Sequence, residues 1–253
     1  MSNLPENTGK MNVPAMSEVE HPSQVQSSPQ VKHPAQQPPQ KFILRATYVE
    51  ADRLSLLSHL EVAHALERTV RRAGLPFAIS QGFSPHMKIA FGAALPVGVG
   101  STCEIFDLQL TRYVPEDQAL AALQDASVRD LMVQEVRYIE PKAKAASVAF
   151  PVSVYRVRFS YAPGVLAVPE DIVRIRRKKE KTFHVADHLI QGIEFDASDP
   201  CVATFALEAH DNGALRADLL LSESLALYNA QLAEGKAPLE VLEITRIEQH
   251  ESR

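Results

Sequence analysis

The chain has 253 residues, of which 45% are hydrophobic and 23% are charged, and its formal net charge is -5. A chain of this length can bury one large hydrophobic core or two smaller ones. The net negative charge excludes a histone-like role, so any contact with nucleic acid or an acidic membrane must come from a local basic patch.

The cysteines and the hydropathy pattern limit the chemistry and the location. Cys103 and Cys201 lie far apart and belong to no Cys-x-x-Cys pair, so they predict no iron–sulfur cluster. The sequence has no apolar run of about 18 residues and no basic-then-apolar leader. We therefore expect a reduced, cytoplasmic protein that makes no contact with a membrane and carries no cofactor.

Composition divides the chain into a tail and an ordered part. Residues 1–40 are rich in Pro, Gln, Ser and Asn and have almost no aliphatic clusters. Such a segment buries too little apolar surface to offset the entropy that is lost on ordering. The sequence therefore predicts a disordered tail over residues 1–40 and an ordered protein from Lys41 onward.

The first part of the ordered chain alternates between strand and helix patterns. Strands are predicted at residues 41–49, 87–91, 103–110 and 131–139. A long helix is predicted at residues 53–73, with Asp52 as its N-cap and Gly74 as its C-terminal stop. A second helix is predicted after Pro115. The order of strand, helix, strand, strand, helix, strand is typical of a ferredoxin-like α/β sandwich.

The same order is repeated, with weaker patterns, in the second part. Strands are predicted at residues 152–161, 191–195, 202–207 and 239–247, and helices at 169–177 and 215–232. The predicted fold class is therefore α+β, with two tandem ferredoxin-like (βαββαβ) α/β sandwiches after the disordered tail. The first unit covers residues 41–148 and the second covers residues 149–253.

Several motifs resemble an uncharacterised bacterial protein family that is linked to radical-SAM proteins. The motifs are LSHL at residues 57–60, Arg68, RRAGLP at 71–76 and SQGFSPHMKIAFGAALPVGVG at 80–100. A weaker match, NGALR at 212–216, is followed by Ala217 where relatives have proline. Members of the family are fused to, or encoded beside, cobalamin-type radical-SAM proteins. The resemblance therefore implies a radical-SAM partner and an accessory or substrate-presenting role, and it implies no catalytic residues.

Two histidines are the candidate catalytic residues. His59 is expected near the start of the long helix and His86 in a glycine-rich loop, so both could lie at one end of the first sheet. Such a pair can act as general acid and base, with Lys88 or Arg68 stabilising negative charge. The alternative is a structural role, because His59 also falls on the buried side of the predicted helix. No ligand spacing joins these histidines to Cys103, so no metal site is predicted.

Glycine and proline shape the segment 80–100. Its glycines allow sharp turns or a close approach to a ligand, and Ser84 with Pro85 favours an extended or turn conformation. The spacing matches neither a P-loop nor a dinucleotide-binding motif. We interpret these loops as hairpin connections, with the rim of a small-molecule pocket as the alternative.

Basic residues are concentrated in two places. The first is the long helix together with the strand after it, and the second is RIRRKKEK at residues 174–181, close to Phe183 and His184. These cations can follow an RNA backbone while the rings stack on bases, although such runs are also common on solvated surfaces. The residues predicted to contact a partner or ligand are Arg68, Arg71, Arg72, Ser84, His86, Lys88, Arg177, Lys178, Lys179 and Arg216.

Three hypotheses for the function remain. The first is an accessory or substrate-presenting protein for a radical-SAM enzyme that also contacts RNA and is not catalytic on its own. The second is an RNA-processing or RNA-modifying enzyme that uses His59 and His86, and the third is a small-molecule-binding module. Replacing both histidines separates the first two, because partner binding would survive while turnover would stop.

Overall fold

A mixed α/β fold with a mostly antiparallel sheet is seen in a computed structural model, which describes residues 40–176, 178–211 and 213–251. The strands are β1 (Phe42–Glu50), β2 (Ile89–Phe91), β3 (Val99–Leu110), β4 (Val133–Ile139), β5 (Val152–Phe159), β6 (Asp171–Arg176), β7 (Lys179–His184), β8 (Leu189–Phe195), β9 (Val202–Glu208) and β10 (Val241–His250). The helices are α1 (His59–Arg72), α2 (Glu116–Ala126), α3 (Ala146–Ala149), α4 (Val185–His188) and α5 (Ala217–Asn229). None of the helices in these ranges has the length and apolar sequence that crossing a bilayer requires. The predicted tail lies outside the described residues, except for Gln40.

One sheet runs through both halves of the described chain. Its strand order is β4-β1-β3-β10-β5-β9-β8, and β2 pairs with another part of β3. Neighbouring strands are antiparallel, except that residues 99–101 of β3 run parallel to residues 244–246 of β10. The relative strand order is the same in each half, β4-β1-β3-β2 in the first and β10-β5-β9-β8 in the second. The predicted combination of helices with a mostly antiparallel sheet is confirmed.

Two hydrophobic clusters pack against this sheet. The first joins α1 and α2 to β1 and β3, and it includes Leu44, Leu66, Phe106 and Leu123. The second joins α5 to β5 and β9, and it includes Val157, Phe205 and Leu220. Each of these side chains is fully buried, and burying one contributes about 1.5–3 kcal/mol relative to leaving it in water. The first cluster comes from the first half of the sequence, whereas the second comes from the second half together with Val99 of β3. The predicted division near residue 148 stays a prediction.

The long helix begins later than its pattern predicted. Asp52 has a φ of 48° and opens a short 3-10 helix, Asp52–Leu56, so it is not the N-cap of α1. Ser58 takes that position, and its backbone N–H donates to the Glu61 carboxylate at 2.8 Å in a capping box. The register of α1 therefore leaves His59 exposed, and the expectation that it faces the buried side is wrong.

The helix predicted at residues 169–177 is also wrong, because this stretch forms β6 and pairs with β7 as a separate hairpin. Two-residue hairpin turns favour Asn-Gly or Asp-Gly, whose backbones accept positive φ values. Here Lys178 has a φ of 64°, and Arg177 lies outside the described residues. The sequence therefore lacked the turn signal that separates a strand pair from a short basic helix.

Candidate functional site

A cleft of about 360 Å³ lies where the two halves of the chain meet. We call it the seam cleft and define it by Ala93, Pro96, Ser153, His210, Arg216 and Arg246. Two of the motifs that carry the family resemblance, residues 80–100 and 212–216, contribute to it although they are far apart in the sequence. Folding therefore brings the two motifs to one surface.

Arg246 is a buried cation at this seam. Its Nη1 donates to Glu104 Oε1 at 2.8 Å and to the Ala93 carbonyl oxygen at 3.1 Å, and its Nη2 donates to the Tyr155 hydroxyl at 3.1 Å. Burial alone would lower the pKa of Arg246, but the Glu104 carboxylate and Tyr155 raise it, so the guanidinium stays charged. Because β3, β5 and β10 each supply one of the three side chains, this network fixes the two halves to each other.

A second buried ion pair holds the segment that connects the halves. Arg45 binds Asp107 through two hydrogen bonds of 2.7 and 2.9 Å, and it also donates to the Lys144 carbonyl oxygen at 2.8 Å. Asp107 accepts a further bond of 3.0 Å from the backbone N–H of Ala146. These bonds satisfy both charges, which is the condition for keeping an ion pair inside a protein.

The β6–β7 hairpin carries the second group of basic residues, and we call it the basic hairpin (Asp171–His184). Arg174 lies directly opposite Lys181, and Arg176 is in register with Lys179. The pairing of β6 with β7 therefore concentrates basic residues on one hairpin.

The basic hairpin rests against the turn that leads into the seam cleft. Lys181 Nζ lies 4.6 Å from the ring centre of Phe183, and it would lie 2.5 Å from a Cβ atom built on Gly213. Gly213 also has a φ of 121°, a backbone conformation that residues other than glycine rarely adopt. Three residues later, Arg216 lines the seam cleft and donates to Asp218 at 2.9 Å. The hairpin and the cleft therefore adjoin.

The rings predicted to stack on bases have other contacts. Phe183 is only 3% exposed and belongs to the second hydrophobic cluster, so it is not available to a nucleobase. His184 is exposed, and its Nδ1 is hydrogen-bonded to Asp171 at the base of the hairpin. The expectation that these rings bind bases is therefore wrong for Phe183.

Two histidines that the sequence did not single out lie together beside the hairpin. The ring centres of His188 and His210 are 5.0 Å apart. His188 Nδ1 lies 3.0 Å from the Glu208 carbonyl oxygen, and His210 Nε2 lies 2.8 Å from the Asp187 carbonyl oxygen. A carbonyl oxygen only accepts, so in each ring the nitrogen that contacts the carbonyl carries a proton. No spacing motif connects the two residues, so only the fold reveals the pair.

The two histidines proposed as an acid–base pair contact different groups. The His59 ring meets the Phe91 ring at 5.7 Å between centres, whereas His86 Nδ1 lies 2.8 Å from the Ser80 hydroxyl. Residues 86–91 are mostly extended, and each extended residue advances about 3.3 Å, which puts His86 about 16 Å from Phe91 along the chain. This separation argues against a shared acid–base pair.

The predicted contact residues that the structure describes are all exposed, and two of them also contact neighbouring elements. Arg71 contacts Glu67 at 3.8 Å and lies over the Phe77 ring, and Arg72 donates to the Ala126 carbonyl oxygen at 2.6 Å. Those two arginines therefore help to hold α1 to its neighbours. The exposed residues are Arg68, Arg71, Arg72, Ser84, His86, Lys88, Lys178, Lys179 and Arg216.

Phe83 is the most exposed large hydrophobic residue in the described part of the chain. Its loop is closed by a hydrogen bond of 2.8 Å from Ser80 N–H to the His86 carbonyl oxygen and by the bond between their side chains. An aromatic ring held in water by a fixed loop is a candidate contact for a partner. The sequence marked this loop by its glycine and proline, but not by its aromatic residue.

Within the described residues, no group of three His, Cys, Asp or Glu side chains has the arrangement of a metal site.

No curated protein matches the chain. A family model described as an uncharacterized protein conserved in bacteria (DUF2344) matches residues 44–217. The match runs from the third residue of β1 to the first residue of α5, so it includes the residues that define the seam cleft except Arg246. The chain therefore belongs to this uncharacterised bacterial family.

Proposed function

We propose that the chain is an accessory protein that presents RNA to a radical-SAM enzyme. The observation that carries the proposal is the basic hairpin, in which Arg174 opposes Lys181. Phosphates bound along the hairpin would be attracted to these cations and to the exposed Lys178 and Lys179 beside them. The overall charge of -5 makes the contact local, because the rest of the chain does not attract a polyanion.

The seam cleft supports RNA over an isolated phosphate ion. It adjoins the hairpin at Gly213 and contains about 360 Å³, enough for an unstacked base. Arg216 lies at the cleft and Lys179 on the hairpin, so a single strand would meet cations along its backbone on both sides of the turn. RNA recognition by single-stranded segments uses this combination of backbone charge and a pocket for a base.

The radical-SAM partner follows from the family resemblance, and the exposed Phe83 loop supports a protein contact. A loop whose backbone is already closed by hydrogen bonds loses little conformational entropy on binding. His86 and Lys88 lie on the same segment and are exposed, so they would form the polar edge of that contact. We place this complex in the cytoplasm.

The tandem ferredoxin-like arrangement is part of the proposal. It is supported by the identical relative strand order in the two halves and by antiparallel pairing within each half. The second half departs from βαββαβ because the hairpin β6–β7 and the four-residue α4 stand where the first helix would be. The departure places the basic hairpin on a unit that otherwise keeps the strand order.

Fluorescence anisotropy with a labelled 20-nucleotide oligo(U) tests RNA binding by the hairpin. The double variant Arg174→Gln, Lys179→Gln should weaken binding at least tenfold and lower the slope of log affinity against log salt by about 1.4, since each single-strand phosphate contact contributes about 0.7. Lys142→Gln with Lys236→Gln removes two exposed lysines outside the hairpin and is the matched control. Equal loss in both double variants would refute a local site, as would a wild-type protein that does not bind the oligonucleotide.

Affinity purification of the tagged protein from its host, with and without nuclease, tests the partner. A radical-SAM protein recovered despite nuclease supports the accessory role. The Phe83→Ala variant should no longer recover that protein, and its binding to oligo(U) should be unchanged. RNA recovered without such a protein would reject the partner but keep RNA binding. Recovery of neither would favour a small-molecule-binding module.

The RNA-processing enzyme remains the alternative, and one observation favours a revised form of it. The ring contact of His188 with His210 lies beside the basic hairpin, whereas His59 and His86 contact other groups. Incubation with end-labelled RNA would show cleavage that His210→Ala abolishes and His59→Ala does not. Intact RNA with the wild-type protein would reject the enzyme and leave the binding role.

A further inference from the structure

A second cleft, of about 850 Å³, opens between the end of β1, the 3-10 helix Asp52–Leu56, the start of β3 and β10. Its lining carries four carboxylates and two arginines, and we call it the acidic cleft: Glu50, Asp52, Arg53, Asp130, Arg156 and Glu243. When all six side chains are ionised, the carboxylates exceed the arginines by two charges. The cleft is therefore electrostatically complementary to a cation.

Glu50 distinguishes this cleft from an ordinary acidic surface. The residue is only 5% exposed yet lines the cleft, and within the described residues its carboxyl group has neither a hydrogen-bond nor an ion-pair partner. The nearest buried charges are already engaged, because Glu104 is paired with Arg246. A carboxyl group that is largely removed from water and has no protein partner is costly to ionise, even where its oxygen atoms reach the cleft. A ligand that supplied a cationic donor would remove that cost.

The surrounding charges agree with this interpretation. Burial first, and then the Glu104 carboxylate, raise the pKa of Glu50 to about 7, while Arg246 lowers it. Burial also raises the pKa of Tyr48, so its hydroxyl is neutral and supplies no compensating charge. Around the rest of the cleft stand the acidic and basic side chains named above, together with the Thr245 hydroxyl, which already donates to Glu243 at 2.8 Å. No cation in this set forms an ion pair with Glu50.

The positions of the carboxylates indicate which class of cation the acidic cleft would bind. The described residues hold no group of three acidic, histidine or cysteine side chains placed to coordinate one metal ion. The carboxylates are instead distributed around an open cleft of about 850 Å³, which has room for an organic cation with its charge at one end or at intervals. We propose that the acidic cleft binds a protonated alkylamine, with the Glu50 carboxylate as the ionic partner of the ammonium group. The amine is either a free polyamine or a lysine side chain of a partner protein.

Isothermal titration with two probes, spermidine and Nα-acetyl-lysine amide, tests the proposal on RNA-free protein. Both probes stay protonated between pH 6 and pH 8 at their amino groups. The ionised fraction of a carboxyl group with a pKa near 7 rises about tenfold over this range, so binding to the wild type should strengthen about tenfold. Glu50→Gln should lose at least tenfold in affinity at pH 8 and should bind equally at both pH values.

Two further variants keep the result interpretable. Glu223→Gln removes an exposed carboxylate on α5, outside the cleft, and should bind like the wild type. Glu243→Gln removes a carboxylate of the cleft that is exposed, so it should fold normally and weaken binding by about twofold to fivefold. Because neither probe is an RNA, failure here would not bear on the basic hairpin.

Each outcome of the titration decides the proposal. Binding of spermidine alone supports a polyamine site, and binding of the lysine probe supports a site for a lysine side chain. Absence of binding by both probes would overturn the proposal. Equal losses in Glu50→Gln and Glu223→Gln would also overturn it, since the attraction would then come from the net charge of the surface.

Discussion

Glu50 also makes a prediction about stability that needs no ligand. Its carboxyl group has a pKa near 7 in the folded protein, against an ordinary value of 4.5. A group whose pKa is raised by folding favours the folded state while it is protonated. Its contribution is therefore complete below pH 4.5 and is lost as the pH rises toward 7 and above. Replacing Glu50 with glutamine keeps the size of the side chain and removes the titration.

The size of the effect follows from the two pKa values. At about 1.4 kcal/mol per pH unit, ionising Glu50 costs the folded state about 3 kcal/mol once the pH is well above 7. Between pH 5 and pH 8 the unfolding free energy of Glu50→Gln should rise by about 2–3 kcal/mol relative to the wild type. This is an upper value, because the carboxyl group faces an open cleft into which water can enter.

Urea unfolding at pH 5, 6, 7 and 8 measures the difference, since the titration of all other groups cancels between the two proteins. Glu223→Gln, on the exposed face of α5, is the control and should follow the wild type at every pH. A difference between Glu50→Gln and the wild type that does not change with pH would refute the reasoning. If the unfolding free energy of Glu50→Gln fell relative to that of the wild type as the pH rose, the predicted sign would be wrong.

Three other substitutions test the interactions that hold the site. Asp107→Asn leaves Arg45 charged and buried, so the unfolding free energy should fall by about 3–5 kcal/mol in a urea titration; a fall below 1 kcal/mol would show that the pair is solvated. Gly213→Ala forces a side chain onto a φ of 121° and against Lys181, so it should cost about 1–3 kcal/mol and speed tryptic cleavage in the basic hairpin; unchanged cleavage would contradict the contact. Ser58→Ala removes the capping box of α1 and should cost about 1 kcal/mol in thermal unfolding, whereas Ser58→Thr, which keeps the hydroxyl that donates to Glu61, should cost much less.

The strand positions could be predicted because they depend on local patterns. Alternating apolar residues placed β1, β3 and β9 to within a few residues, since one face of each strand packs on a hydrophobic cluster. The start of α1 was missed although Ser58 and Glu61 form a capping box in the sequence as well as in the structure. Asp52 competed with Ser58 as an N-cap, and only its positive φ decides between them.

The candidate site was less accessible from the sequence. The cations at residues 174–181 were identified, but their arrangement as opposed pairs depends on a turn that lacks Asn-Gly or Asp-Gly. His188 and His210 are brought together by the turn after β9, and no spacing indicates this contact. Glu50 carries no sequence signal at all, because its burial results from the meeting of β1, β3 and β10.

The parallel contact between β3 and β10 has a consequence for synthesis on the ribosome. On the edge of β3 that faces away from β1, residues 99–101 pair with β10, the last strand to be made among those described. At about 5–20 residues per second, the intervening chain takes roughly 6–26 s to emerge. During that interval part of β3 has an unpaired edge that can accept a strand from another chain. Slow translation across residues 111–240 would therefore favour aggregation of the nascent protein, and a chaperone that covers this edge would raise its yield.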